Sequence, residues 1–175
     1  MNKILSTSFA LITALAALPA CAETGMYAGA ALGSKGNLVG STDSTRPFKL
    51  YGGFALNEHL AIEGAYTSFG VFKYSDNRKI GLNVLSVAAK GTFNISESWT
   101  AFGKVGVARH MINVNGDGLS IREQDKTRPL LGVGVGYKLT PNLTLDLELA
   151  SYGKIKLEKG RLNYNQLQLG ANYSF

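Results

Sequence analysis

The chain has 175 residues, 45% of them hydrophobic, and a formal net charge of +6. This length suits one domain rather than two. Beyond the N-terminal segment there is no run of about 18 apolar residues, so a membrane-spanning helix is excluded. A mean hydropathy of +0.03 does not argue against membrane-spanning strands, because apolar and polar side chains alternate in such strands and cancel in the average.

The first 22 residues have the parts of a secretory signal peptide. Lys3 precedes an apolar stretch, and residues 20–22 form an A-x-A cleavage pattern. We predict cleavage after this pattern, which removes the only cysteine and leaves one domain over residues 23–175 in an oxidising compartment. An alternative stays open, because residues 18–21 loosely resemble a lipobox, in which Cys21 would become a lipidated N-terminus.

The remainder of the chain predicts eight β-strands of about ten residues, because apolar side chains alternate with polar or small ones in each. The predicted strands are 25–33, 47–56, 60–69, 81–93, 99–111, 129–139, 143–150 and 164–175. The sixth is the most regular, since five large apolar residues from Leu131 to Leu139 alternate with three glycines and Lys138. Each strand therefore has one apolar face and one polar face.

The connections between the predicted strands alternate in length. Those after the second, fourth and sixth strands are a few residues long, whereas the others are longer and polar, over 34–46, 70–80, 113–128 and 152–163. Aromatic residues cluster beside the short turns: Phe54, Phe93, Trp99, Tyr137, Tyr173 and Phe175. A soluble β-sandwich would show alternation without these two features. The pattern predicts an all-β, eight-stranded, antiparallel up-and-down transmembrane β-barrel with periplasmic turns and extracellular loops.

Five segments carry a resemblance to a known family: GMYAGAALG, LNEHLAIEGAY, AAKGTFNISESWTAFGKVG, GVGVGYKLTPNLTLDLEL and QLQLGANYSF. The chain resembles the OmpA-type transmembrane domain, the group of small outer-membrane barrels that includes OmpX-like proteins. The resemblance implies a bacterial outer-membrane location, contact with outer-membrane lipid and lipopolysaccharide, and recognition by the barrel assembly machinery through the C-terminal strand, here with Tyr173 and Phe175. We expect a monomer.

Seven charged residues fall on the inward faces: Lys49, Glu63, Lys90, Lys104, Lys138, Asp146 and Glu148. An eight-stranded barrel is filled by its inward side chains, so these charges must pair or reach water. One interpretation is a structural network that fills the lumen, and the other is a narrow gated ion path. The OmpA-type domain has a luminal network of charged side chains at comparable positions. Glu63, Lys90 and Lys104 of this chain match that network in charge sign, whereas Asp146 and Gly136 depart from it. We predict that Gly132, Gly134 and Gly136 make room for long side chains opposite.

Two of the predicted loops carry most of the basic side chains at the outer end: Lys73, Arg78, Lys79, Lys154, Lys156, Lys159 and Arg161. Such tips can meet lipopolysaccharide phosphates, sulfated glycans or another host or surface polyanion. The alternative is a set of solvated loops that contact the protein's own outer leaflet. Nucleic acid is an improbable partner in this compartment.

The sequence predicts no enzyme, cofactor or metal site. The only histidines are His59, in a short turn, and His110, which faces inward near the outer end. Neither has the partners in sequence that acid–base or nucleophilic catalysis requires, and no His or Cys cluster suggests a metal. We therefore predict a structural or surface-interaction barrel, adhesin-like or serving envelope integrity, with a small low-conductance pore as the alternative.

Overall fold

The structure is a computed structural model that describes residues 25–34, 46–73, 79–115, 121–122, 126–157 and 160–175. The predicted signal peptide and Cys21 lie outside these ranges, as does most of the first predicted loop. Among the described residues, no helix has the length and apolar character required to cross a membrane.

Nine β-strands make up nearly all of the described chain. They are β1 Met26–Gly33, β2 Phe48–Ala55, β3 Leu60–Lys73, β4 Lys79–Asn94, β5 Trp99–Asn115, β6 Ile121–Arg122, β7 Lys126–Lys138, β8 Leu143–Leu157 and β9 Gly160–Ser174. Eight of them are long and close into a ring of antiparallel pairs in which β1 meets β9, whereas β6 is a two-residue addition to β5. This arrangement confirms the predicted eight-stranded up-and-down barrel.

The two faces of each strand are those that the alternation predicts. On β8, Asp146, Glu148 and Ala150 are buried in the interior, whereas the leucines between them are exposed on the outside. The outside is an almost continuous apolar surface, which includes Leu50, Phe54, Ile62, Tyr66, Leu85, Val87, Val105, Val107, Leu131, Val133, Leu147, Leu149, Leu167 and Leu169. Such a surface is stable only against hydrocarbon, so the barrel is inverted relative to a soluble protein.

The three turns at one end of the barrel share one geometry. In each, the N–H groups of two consecutive residues donate to the carbonyl oxygen at the start of the next strand: Leu56 and Asn57 to Leu60, Ile95 and Ser96 to Trp99, and Leu139 and Thr140 to Leu143. The second residue of each turn also accepts a backbone N–H through its side chain, at 2.8 Å for Asn57, 3.1 Å for Ser96 and 3.0 Å for Thr140. Short polar side chains at this position therefore select the turn. We call this end of the barrel the inner end.

At the opposite, outer end, the predicted ends of β1 and β2 agree with the structure, whereas those of the other six long strands were wrong. The segments 70–80 and 152–163 were predicted as loops, but β3, β4, β8 and β9 continue into them, and β5 and β7 likewise extend into 113–128. The pairing shifts register between Ser68 and Val71 and between Ser151 and Lys154. Gly70 and Gly153 have φ of 85° and 77° at these points. A bulge interrupts the two-residue period, so the alternation that predicts a strand breaks although the strand continues.

Inward glycines make room for three luminal rings, and the prediction is confirmed for Gly134 among them. Gly53 lies opposite Tyr27, Gly29 opposite Tyr51, and Gly134 opposite Phe102. A Cβ atom at any of these glycines would come within 2.3 to 2.5 Å of the facing ring. The rings therefore lie flat over glycine and fill the lumen.

Candidate functional site in the barrel interior and the outer hairpins

A ring of four charged side chains, the charge ring, crosses the middle of the lumen. Lys104 Nζ lies 2.7 Å from Glu63 Oε1 and 2.9 Å from Glu148 Oε2. Lys49 Nζ lies 3.0 Å from Glu148 Oε2 and 3.6 Å from Glu63 Oε1. All four side chains are at most 7% exposed. Two cations and two anions alternate, so each buried charge is matched by two of the opposite sign, as burial requires.

The barrel register explains how these charges meet. Lys49, Glu63, Lys104 and Glu148 come from β2, β3, β5 and β8, and Lys49 and Glu148 are 99 positions apart in sequence. Gly132 on β7 is the Cα partner of Lys104, and a Cβ atom there would lie 2.8 Å from Glu148 Oε1. The missing side chain lets Lys104 reach a carboxylate that is two strands away.

Asp146 is inward and buried but lies apart from the charge ring. Its Oδ2 accepts hydrogen bonds from the Tyr51 hydroxyl at 2.9 Å and from the Asn172 side-chain amide. Tyr27 in turn donates to Glu63 Oε2 at 3.0 Å. Neutral donors therefore extend the network from the ring toward the inner end, which the charge pattern alone does not show.

Two predicted network lysines lie at the inner mouth instead. Lys90 Nζ lies 4.6 Å from the centroid of the Phe102 ring and 5.1 Å from that of Tyr27, so ring faces hold this cation. Lys138, also predicted in the luminal network, is exposed because β7 ends there. Both line a mouth cavity of about 410 Å³ together with Asp146. The alternation gives the face of a residue correctly, but not its depth in the lumen.

Toward the outer end from the charge ring, a cluster of buried apolar side chains, the apolar plug, lies in the lumen. Its members are Phe69, Leu82, Val84, Ala88, Ala108, Leu130, Ala150 and Tyr152. Tyr152 is 1% exposed and packs edge-on against Phe69, with ring centroids 5.6 Å apart. Its hydroxyl accepts a hydrogen bond from Gln168 at 3.0 Å, and its carbonyl oxygen lies 3.1 Å from His110 Nε2.

Sequence reasoning missed Tyr152, because it assigned this residue to the fourth loop. A signal was available, since Asp146, Glu148, Ala150 and Tyr152 share one parity and all face inward. The plug and the charge ring thus occupy two levels of the described lumen.

The predicted basic residues lie at the outer ends of two hairpins. Lys73 and Lys79 are Cα partners across β3 and β4, and Lys156 and Arg161 are Cα partners across β8 and β9. Lys154 pairs with Asn163 in the second hairpin. Arg78 and Lys159, between these strands, lie outside the described residues. The structure thus pairs basic residues across the strands at two tips.

The two histidines lie far apart in the barrel. His59 is exposed in an inner turn, with its Nδ1 4.0 Å from Glu58 Oε1, whereas His110 is buried beside Tyr152. In the part of the chain that the structure describes, no three His, Cys, Asp or Glu side chains are close enough to share a metal ion.

Aromatic side chains mark the inner end of the outer surface. Trp99 and Tyr137 are Cα partners with ring centroids 4.9 Å apart, and Tyr173 and Phe175 are 5.3 Å apart. The Phe175 N–H donates to the Met26 carbonyl at 2.9 Å, which ties the last residue to the first strand. These positions match those of an interface girdle in a membrane barrel.

Comparisons with known proteins give the same architecture. The chain is similar to Neisserial surface protein A (NspA), with a TM-score of 0.65 and 20% identity over 87% of this chain and 98% of that chain. It is similar to the N-terminal β-barrel domain of Pseudomonas aeruginosa OprF, with a TM-score of 0.63 and 20% identity over 87% of this chain and 98% of that chain. It is also similar to the attachment invasion locus protein Ail of Yersinia pestis in complex with the heparin analogue sucrose octasulfate, with a TM-score of 0.58 and 22% identity over 86% of this chain and 96% of that chain. At these identities the likeness shows the fold alone. No curated protein matches the chain.

The family model described as "Outer membrane protein beta-barrel domain" matches residues 7–175. The match covers every described strand, and the apolar outer surface, the short inner turns and the girdle agree with it. The chain therefore belongs to the outer membrane protein β-barrel domain family and is located in the bacterial outer membrane.

Proposed function

We propose that this protein is a surface-interaction barrel whose basic outer hairpins bind polyanions. The observation that carries the proposal is the pairing of Lys73 with Lys79 and of Lys156 with Arg161 at the hairpin tips. Like charges directly opposite in a sheet are destabilising. A bound polyanion would convert this repulsion into attraction, so the arrangement suits binding better than it suits stability.

The location of the two tips supports this role. Both tips lie opposite the short turns, and in outer-membrane barrels the short turns face the periplasm. The bulges at Gly70 and Gly153 lie between the membrane-spanning part and the tips, and a bulge bends and twists the strand that carries it. This location supports the proposal that the basic residues face the outside of the cell.

The likeness to Ail supports the ligand class. Ail was crystallised with sucrose octasulfate, a heparin analogue, on a barrel of the same fold. For this chain, the ligands that fit are sulfated glycans and the phosphates of lipopolysaccharide, because both present dense arrays of anionic oxygens.

The described interior supports a scaffold role rather than a conducting or catalytic one. The charge ring satisfies its own charges, and the apolar plug lies above it. An ion passing through the lumen would have to separate the ion pairs of the charge ring and displace side chains of the apolar plug. His110 lies buried in the interior beside the plug, and we assign it a structural role.

The test is heparin binding by the folded barrel in detergent or bilayers. The substitutions Lys154→Gln, Lys156→Gln, Lys159→Gln and Arg161→Gln together should weaken binding about tenfold or more, since each basic residue near an anionic surface contributes on the order of 1 kcal/mol. Wild-type binding should weaken steeply with added salt.

The matched control is Lys138→Gln, which removes an exposed charge at the inner end. It should leave heparin binding unchanged. Equal affinities for wild type and the four-site variant, with both barrels folded by gel mobility, would exclude the proposed function.

A further inference from the structure

An apolar groove of about 540 Å³ lies on the outside of the barrel near its inner end. It is lined by Met26, Ala28, Gly52, Phe54, Ile62 and Phe175, among others. We propose that this groove binds one acyl chain of a phospholipid from the leaflet on the short-turn side of the membrane.

Gly52, which lines the groove, is a glycine that packing inside the barrel does not require. Gly52 on β2 and Gly64 on β3 are Cα partners on the outward face. A Cβ atom at Gly64 would meet nothing within 4 Å, and one at Gly52 would meet only the Tyr27 carbonyl oxygen, at 3.5 Å. The inward Gly53, by contrast, cannot carry a side chain because of the Tyr27 ring. The absence of side chains at Gly52 and Gly64 therefore leaves space on the lipid-facing side of the sheet and none in the lumen.

The surroundings of the pair turn this space into a groove. The row continues onto β1, where Ala28 is the Cα partner of Gly52. The next row toward the inner end holds Met26, Phe54 and Ile62, which are partners in series. Ala28 and Gly52 of this row line the groove, which the larger residues of β1, β2 and β3 and Phe175 border, and Gly64 lies beside it as the Cα partner of Gly52.

The position of the groove identifies its occupant. It is continuous with the lipid-facing surface, and its apolar lining offers water no set of hydrogen-bond partners. An empty groove would deprive its walls of dispersion contacts, whereas a flexible acyl chain can follow its shape. The girdle residue Phe175 at its edge places it at the depth of the inner-side leaflet.

The chain contains a matched control for this site. In the next hairpin, Gly91 on β4 and Gly103 on β5 are also outward Cα partners at the same distance from their turn. A Cβ atom would meet nothing at Gly91 and only a carbonyl oxygen at 3.9 Å at Gly103. This pair is flanked by Leu60 and Val133 rather than by a third small residue.

The experiment counts phospholipids retained by the full barrel. Protein reconstituted with phosphatidylethanolamine and phosphatidylglycerol is released gently and weighed by native mass spectrometry. The variant Gly52→Leu with Gly64→Leu should retain one phospholipid fewer than wild type. The variant Gly91→Leu with Gly103→Leu adds the same volume to the same face and should retain the wild-type number.

Folding is verified for both variants by the gel mobility of unheated protein. Equal lipid retention by wild type and the groove-filled variant would overturn the proposal. The proposal would also be overturned if the wild type were a dimer and the groove-filled variant a monomer with the same number of bound lipids. The groove would then hold a second copy of the chain.

Discussion

Glu148 accepts from two lysines at once, through the same oxygen, Oε2. Because the side chain is buried, removal of its charge leaves two ammonium groups with Glu63 as their remaining carboxylate in the ring. An uncompensated buried charge costs far more than a surface pair contributes.

The substitution Glu148→Gln should therefore lower the free energy of unfolding by about 3–5 kcal/mol. Urea unfolding in lipid vesicles measures it, with the exposed turn variant Glu97→Gln as the control. Adding Lys49→Met should recover part of the loss, since one lysine and one glutamate then remain. Equal unfolding midpoints for Glu148→Gln and Glu97→Gln would show that the charge ring does not stabilise the barrel.

Tyr152 combines a packed ring with a buried hydroxyl, and two substitutions separate these contributions. Tyr152→Phe removes the acceptor of the Gln168 hydrogen bond and should cost about 1 kcal/mol. Tyr152→Ala also empties the plug beside Phe69 and should cost about 3–5 kcal/mol. If the two variants unfold at the same urea concentration, the ring makes no packing contribution.

At the scale of the strands, the bulges explain why the outer ends differ from expectation. Gly153 has φ of 77°, and a Cβ atom there would lie 3.1 Å from the Arg128 Cβ. A β-branched residue is strained in this backbone conformation and cannot avoid that neighbour.

Gly153→Val should therefore destabilise the barrel by about 1–3 kcal/mol. Gly64→Ala is the contrasting substitution, because its added carbon points into open space. Its unfolding midpoint should not fall below that of wild type, because glycine is less favourable than alanine within a strand. A Gly153→Val barrel as stable as wild type would mean that the hairpin can rearrange its register.

The strands show what a two-residue period can and cannot predict. It gave the inward face of Lys49, Glu63, Lys104 and Glu148 correctly, because parity is a local property of each strand. It could not give their mutual contacts, since these depend on the register of the closed barrel. Tyr152 keeps the inward parity of Ala150 but was missed, because the regular alternation ends just after it and the strand was predicted to stop at Ala150. The polar turns at Asn57, Ser96 and Thr140 were predictable because their hydrogen bonds are local.

For the whole molecule, the main question is whether the lumen conducts. The charge ring and the apolar plug occupy successive levels of the described interior, and eight strands leave little space beyond that of their own side chains.

Purified barrel in planar bilayers should therefore show no stable unitary conductance. The physical reason is that an ion would have to displace paired charges and then pass an apolar layer. A reproducible conductance that Lys104→Met alters would instead favour the pore. Detergent alone serves as the blank, and gel mobility verifies folding before each recording.

The charge ring also constrains how the barrel is assembled. Its members come from strands spread along the chain, and the second carboxylate arrives only with β8. Before β8 joins the sheet, Glu63 is the only carboxylate of the ring for two lysines. The second lysine charge then has no counterion, which disfavours insertion of the incomplete sheet into hydrocarbon. The interior is therefore neutralised only once β8 has joined the sheet, one strand before the pairing of β9 with β1 closes the barrel.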